Sequence, residues 1–216
     1  MARRVPKKIQ SPFFLRHGLL TLIVTALMCV LCYFLIDKPL AGYFRTLSPP
    51  IAASLRPITY LIDPETSYFL WPILYFLLRY TWNKEIWANR ALLILISIPV
   101  MNLTVDIIKT IAARARPGML FSEGLYGFTF FSISSHFGSF PSGHACTIGV
   151  ICGALACFYP NKSLPLTILA LVLACSRVAL NFHYLSDVIF GVAIGLIGVQ
   201  WIFVTMKRKP FQFVLR

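Results

Sequence analysis

Three short polar stretches interrupt an otherwise apolar chain. Lys109 is followed, six residues later, by Arg116-Pro117; Pro141-Ser142-Gly143-His144 comes next; then Ser176-Arg177, five residues, His183, three residues and Asp187. Lys109, Arg116 and Arg177 supply concentrated positive charge, and the arginine forks match phosphate oxygens. Ser142-Gly143 at a helix start would aim free backbone N–H groups at an anion, with glycine permitting close approach. His183 and Asp187 are four apart, so a helical turn between them would put both on one face and let the carboxylate fix the imidazole tautomer. His144 is a second imidazole that can give up a proton. Two histidines, a carboxylate and a basic cradle suit phosphoryl transfer, one histidine attacking and the other protonating the leaving group.

The elements that must position these residues are membrane helices. Of 216 residues, 58% are hydrophobic and only 12% charged, and the mean hydropathy is +0.76. Soluble domains carry about 25% charged residues, so disorder and most soluble folds are excluded. Each span needs roughly 20 apolar residues, and about six fit. Spans are predicted at 18–36, 67–82, 90–111, 142–158, 164–180 and 188–206. Prolines at 39, 49, 50, 57 and 64 make residues 37–66 a short interfacial helix and a surface excursion. Residues 118–140 form a Gly- and Phe-rich connection. The expectation is an all-α polytopic bundle forming one domain over 1–216, with the chemistry confined to 109–187.

The net charge of +13 would suggest nucleic acid in a soluble protein; here it reads as basic residues gathered on the cytoplasmic side. With the amino terminus inside, thirteen of the 20 lysines and arginines fall on inner segments and seven outside. Both termini are therefore expected in the cytoplasm, and the first apolar run reads as a retained span rather than a cleaved signal. The end of the third span, the start of the fourth and the junction of the last two then share the outer face, where the polar stretches meet. Ionisable residues at membrane depth cost about 2.5–3.5 kcal/mol and mark function. The six cysteines lie inside apolar runs and read as small buried residues.

The three stretches together, in this order and spelling, resemble the type 2 phosphatidic acid phosphatase superfamily of membrane lipid phosphatases. That resemblance implies His183 as the nucleophile of a phosphohistidine intermediate, Asp187 as its orienting partner, and His144 as general acid and then base. It further implies a phosphate-binding set of Lys109, Arg116, Ser142, Gly143 and Arg177, with no metal and no cofactor. The implied partners are a membrane phospholipid or glycolipid and the bilayer, with no nucleic acid, at the periplasmic side of a bacterial inner membrane.

Outside the motif positions, Arg114 divides between substrate-rim contact and ordinary surface charge. Asp106 reads as a structural partner of Lys109, and His17, His136 and Glu123 as interfacial or solvated. The entry into the 118–140 loop through Arg114-Ala115-Arg116-Pro117 is similar to bacterial members that include lipid A 1-phosphatases. Lipid A 1-phosphate is thus the leading substrate, with undecaprenyl diphosphate and phosphatidylglycerol phosphate as alternatives. Phe128, Phe130 and Phe131 are expected at the substrate rim. An anionic-lipid transporter or flippase is the rival from another class, although no paired broken helices are evident. A vanadium-dependent haloperoxidase is opposed by the apolar spans.

Overall fold

The computed structural model describes residues 18–46, 53–54, 56–57, 59 and 63–207. Arg3, Arg4, Lys7, Lys8, Arg16, Arg208, Lys209 and Arg216, on which the expected orientation partly rests, lie outside them. The principal helices are α1 (Gly18–Leu35), α2 (Asp37–Arg45), α3 (Pro64–Phe76), α4 (Glu85–Ala112), α5 (Pro117–Glu123), α6 (Gly143–Phe158), α7 (Ser163–Ala174), α8 (Ser176–Ala179) and α9 (Leu185–Met206). Regular structure among the described residues is helical, apart from one isolated bridge between Arg114 and Phe128. The all-α expectation holds.

Among the described residues, four helical stretches are long and apolar enough to cross a membrane: Gly18–Leu35, Glu85–Ala112, Pro160–Ala179 and Leu185–Met206. The other two expected spans are shorter. α3 starts at Pro64, a residue suited to the first helical position, and a π-helical turn at Leu77–Thr81 prolongs it. α6 has 16 residues, about 24 Å of helix against roughly 30 Å of hydrocarbon. α4, with 28 residues, reaches about 42 Å. Large apolar side chains such as Leu19, Phe34, Phe69 and Leu164 are exposed, as a lipid-facing surface requires.

The core forms where α6 meets α9. In lipid, helices associate through close packing and small residues rather than through exclusion of water. Gly149 and Gly153 of α6 meet the 192–199 stretch of α9, and Gly191 and Gly195 of α9 meet the 142–150 stretch of α6. A Cβ at Gly149 would lie 2.5 Å from the Val192 carbonyl, and one at Gly191 would lie 2.5 Å from the Ser142 carbonyl. No side chain fits at either point, so the two backbones touch. Leu93, Ile98 and Val105 of α4 pack with Cys146, Val150 and Val199 on one flank. Ala170, Ala174 and Val178 close the other flank against Ile148 and Val192. This packing holds the start of α6 against the start of α9, and the Ser142 N–H donates to the Asp187 carbonyl across the junction at 3.1 Å.

Candidate active site

All three polar stretches arrive at this junction. α4 ends at Ala113, whose left-handed backbone (φ 45°) turns the chain sharply and sends Arg114 inward and Arg116 towards the 135–138 turn. Arg116 Nε donates to the Ser135 carbonyl at 2.9 Å. Lys109 lies one turn earlier on α4, with its Nζ 3.4 Å from the place a Cβ on Gly143 would occupy and also 3.4 Å from Asp106 Oδ1. The Asp106–Lys109 pairing read from the sequence is thus present. Ser142 caps α6, its Oγ accepting from the Ala145 N–H at 3.4 Å. The helix offers no acceptor to the N–H groups of Gly143 and His144, which leaves them for an anion. Arg177 is 9% exposed, its guanidinium 4.2 Å from the centre of the Phe182 ring.

His183 is buried beside this basic group. Its Nδ1–H donates to the Ser139 carbonyl at 2.8 Å. A carbonyl can only accept, so that bond places the proton on Nδ1 and leaves the Nε2 lone pair free. Burial first, then the charges of Arg116, Arg177 and Lys109, push the imidazole well below its ordinary pKa, against a smaller opposing effect of the Ser139 bond. Both effects favour the neutral ring.

Asp187 departs from its expected part. Its Oδ2 stands 3.9 Å from His183 Nδ1, beyond hydrogen-bond reach. It accepts instead from Ser139 Oγ at 2.6 Å and from the Tyr184 N–H at 2.8 Å. The carboxylate therefore anchors the segment that holds the histidine, and the Ser139 carbonyl makes the direct bond.

Arg114 is corrected outright. It belongs to neither rim nor surface: it is 0% exposed, and its Nη1 reaches Asp187 Oδ1 at 2.5 Å and Ser186 Oγ at 2.7 Å. Its Nη2 reaches Asp37 Oδ2 at 2.9 Å and the Tyr126 hydroxyl at 3.1 Å, and the Tyr184 ring lies 4.4 Å away. Burial works against its charge, but the Asp187 and Asp37 carboxylates more than offset this and hold the guanidinium above its ordinary pKa. Asp37, read from sequence only as part of an interfacial segment, is thereby tied to the base of the site.

The expected aromatic rim is also corrected. Residues 127–132 run back along the end of α4, with the Thr129 N–H donating to the Ala113 carbonyl and the Phe131 N–H to the Ile111 carbonyl, each at 3.1 Å. That pairing turns Phe130 and Phe131 outward, where they are exposed. Phe128 lines an apolar cavity with Tyr33, Phe140 and Phe190. None of the three lines the cavity above the basic cluster.

That cavity, of about 470 Å³, is lined by His144 and Arg177 together with Arg56, Thr59, Asp63, Glu65, Leu180 and Phe182. His144 Nε2 lies 2.5 Å from Asp63 Oδ1. Asp63 stands at the start of α3, where its carbonyl accepts from the Ser67 N–H at 2.9 Å. Sequence reasoning missed Asp63; its one signal was a carboxylate just ahead of a helix-starting proline on the outer face.

The geometry amounts to a buried imidazole flanked by the charges of Lys109, Arg116 and Arg177, and a second imidazole paired with a carboxylate; of these residues His144 and Arg177 line the polar cavity. Against this, the model of the family described as PAP2 superfamily matches residues 88–211. The chain belongs to that superfamily. Within 93 residues it is 39% identical to a protein named lipid A 1-phosphatase from Rhizobium etli, covering 43% of this chain and 40% of that one. A protein of the same name from Rhizobium johnstonii is 39% identical over 93 residues, with 38% of its length covered. The aligned stretch is thus well under half of each relative. In fold, this PAP2 chain matches the crystal structure of a transmembrane PAP2 type phosphatidylglycerolphosphate phosphatase from Bacillus subtilis. The TM-score is 0.58 at 21% identity, over 91% of this chain and 97% of that one. It is a multi-pass membrane protein of the PAP2 fold.

Proposed function

We propose that the protein is a lipid phosphatase that removes the 1-phosphate of lipid A through a phosphohistidine on His183. The observation that carries this reading is the Nδ1 bond of His183 to Ser139 at 2.8 Å, which leaves Nε2 as a neutral nucleophile beside Lys109, Arg116 and Arg177. The names of the 39% identical relatives support the substrate.

In the first step Nε2 forms a bond to phosphorus as the phosphorus–oxygen bond to the lipid breaks. His144, paired with Asp63 and taking up a proton once the substrate phosphate is bound beside it, gives that proton to the departing oxygen. In the second step His144 takes a proton from water, whose oxygen attacks phosphorus and releases phosphate and His183. Lys109, Arg116, Arg177 and the N–H groups at the start of α6 balance the charge on the equatorial oxygens throughout. Those cations occupy the role a metal would otherwise fill, so the reaction as written draws on this chain alone. The site is assigned to the periplasmic face of a bacterial inner membrane, with both termini in the cytoplasm.

Phosphate release by the purified protein from lipid A, undecaprenyl diphosphate and phosphatidylglycerol phosphate tests the reading. Lipid A is expected to turn over fastest, with mass spectrometry showing loss of the 1-phosphate. Preference for either other lipid would displace lipid A as the substrate, and inactivity towards all three would remove the phosphatase assignment.

A further inference from the structure

A second cavity, of about 320 Å³, adjoins the catalytic one. Arg56, Leu180 and Phe182 line both, so the two share a wall. Its other walls include Arg45, Gly118, Phe121 and Asn181, contributed by α2, α5 and the turn after α8. Arg45 places its guanidinium 4.5 Å from the centre of the Phe121 ring, which fixes the plane of the fork while leaving its N–H donors to a ligand. Among the described residues, neither Arg45 nor Arg56 forms an ion pair with a carboxylate. The Oδ1 atom of Asn181 is buried and has no hydrogen-bond partner, on a residue held at φ 56°. Two cations and an aromatic platform beside a phosphate site describe a cradle for something anionic.

The geometry points to a second subsite for the same headgroup: a second phosphate held by Arg45 and Arg56. The inference rests on the lipid phosphatase reading and narrows it to headgroups carrying two phosphates, of which one is cleaved and the other is held. A basic patch that merely anchored the protein to bulk anionic lipid would not distinguish substrates by their second phosphate.

The test compares bis-phosphorylated lipid A with the same lipid bearing only the 1-phosphate, in mixed micelles of fixed composition. The native protein should show a lower KM for the bis-phosphorylated form. Arg45→Ala and Arg45→Gln should raise that KM roughly tenfold, the scale of one lost charge-assisted contact. Turnover of the 1-monophosphate should stay unchanged, which also shows that the variants fold. Equal KM values for the two lipids in the native protein, or equal losses on both in the variants, would overturn the subsite while leaving the phosphatase reading intact. Failure of the native protein to use either lipid A form, with turnover of phosphatidylglycerol phosphate, would overturn the substrate reading and the subsite together.

Discussion

The Ser139 carbonyl accepts the Nδ1–H of His183 at 2.8 Å, while the Asp187 carboxylate, four residues along the chain from the histidine, stays 3.9 Å from the same nitrogen. Orientation of the nucleophile thus runs through the 138–141 segment, and Asp187 governs that segment through Ser139 Oγ and the buried Arg114–Asp37 pair.

Asp187→Asn should therefore cost stability at least as much as turnover. It would leave Arg114 short of one partner in a fully buried cluster, and breaking such a pair costs about 3–5 kcal/mol. Thermal unfolding in detergent, read beside kcat, checks this; a variant of native stability that has lost only kcat would show that the carboxylate acts on the imidazole directly. Arg114→Met should be worse still, since it strands Asp37 and Asp187 together.

Asp63→Asn should impair the proton donor selectively. A positioned general acid contributes about 10²–10⁴-fold, and a lipid alkoxide needs it far more than a good leaving group such as p-nitrophenolate. The variant should lose on the order of 10-fold or more in kcat on lipid and little in formation of the phosphoenzyme from p-nitrophenyl phosphate. Asp63→Glu should recover part of the loss. Equal losses on both substrates would reduce Asp63 to a helix-start residue.

The pH profile follows from the lowered pKa of His183. An ordinary histidine gains its proton near pH 6.5. Here the nucleophile stays neutral below that point and protonates only well into the acid range. The acid limb of kcat/KM assigned to His183 should accordingly lie clearly below pH 6.5, and a limb at or above 6.5 would contradict the buried, cation-flanked setting.

Vanadate should inhibit competitively, because its trigonal-bipyramidal adduct with an imidazole mimics the phosphoryl transition state. Arg177→Ala should weaken that inhibition together with kcat/KM. Inhibition that survives Arg177→Ala unchanged would place the anion elsewhere.

The sequence made the membrane helices legible because apolar runs bounded by charge and proline need no tertiary information. The gathering of Lys109, Arg116, His144, Arg177 and His183 also followed from counting span directions. What it concealed were pairings between distant residues: Asp37 with Arg114, 77 apart, and Asp37 with Ser186, 149 apart. Arg114 is two residues from Arg116 and looks equivalent to it in sequence. The left-handed turn at Ala113 is what sends one into the core and the other to the site. Phe130 and Phe131 misled for a related reason, since aromatic content could not reveal that the loop backbone folds along α4. The close approach of α6 and α9 at Gly149 and Gly195 shows only in the packed helices, where it sets the position of the junction.

The central claim is a covalent phosphohistidine on His183, and rapid acid-free quenching during turnover of a ³²P-labelled lipid phosphate tests it most directly. Native protein should carry acid-labile, base-stable label, His144→Ala should gain it only slowly because the lipid oxygen departs without a proton, and His183→Ala should carry none and release no phosphate. Label or phosphate release persisting in a folded His183→Ala protein would contradict the account.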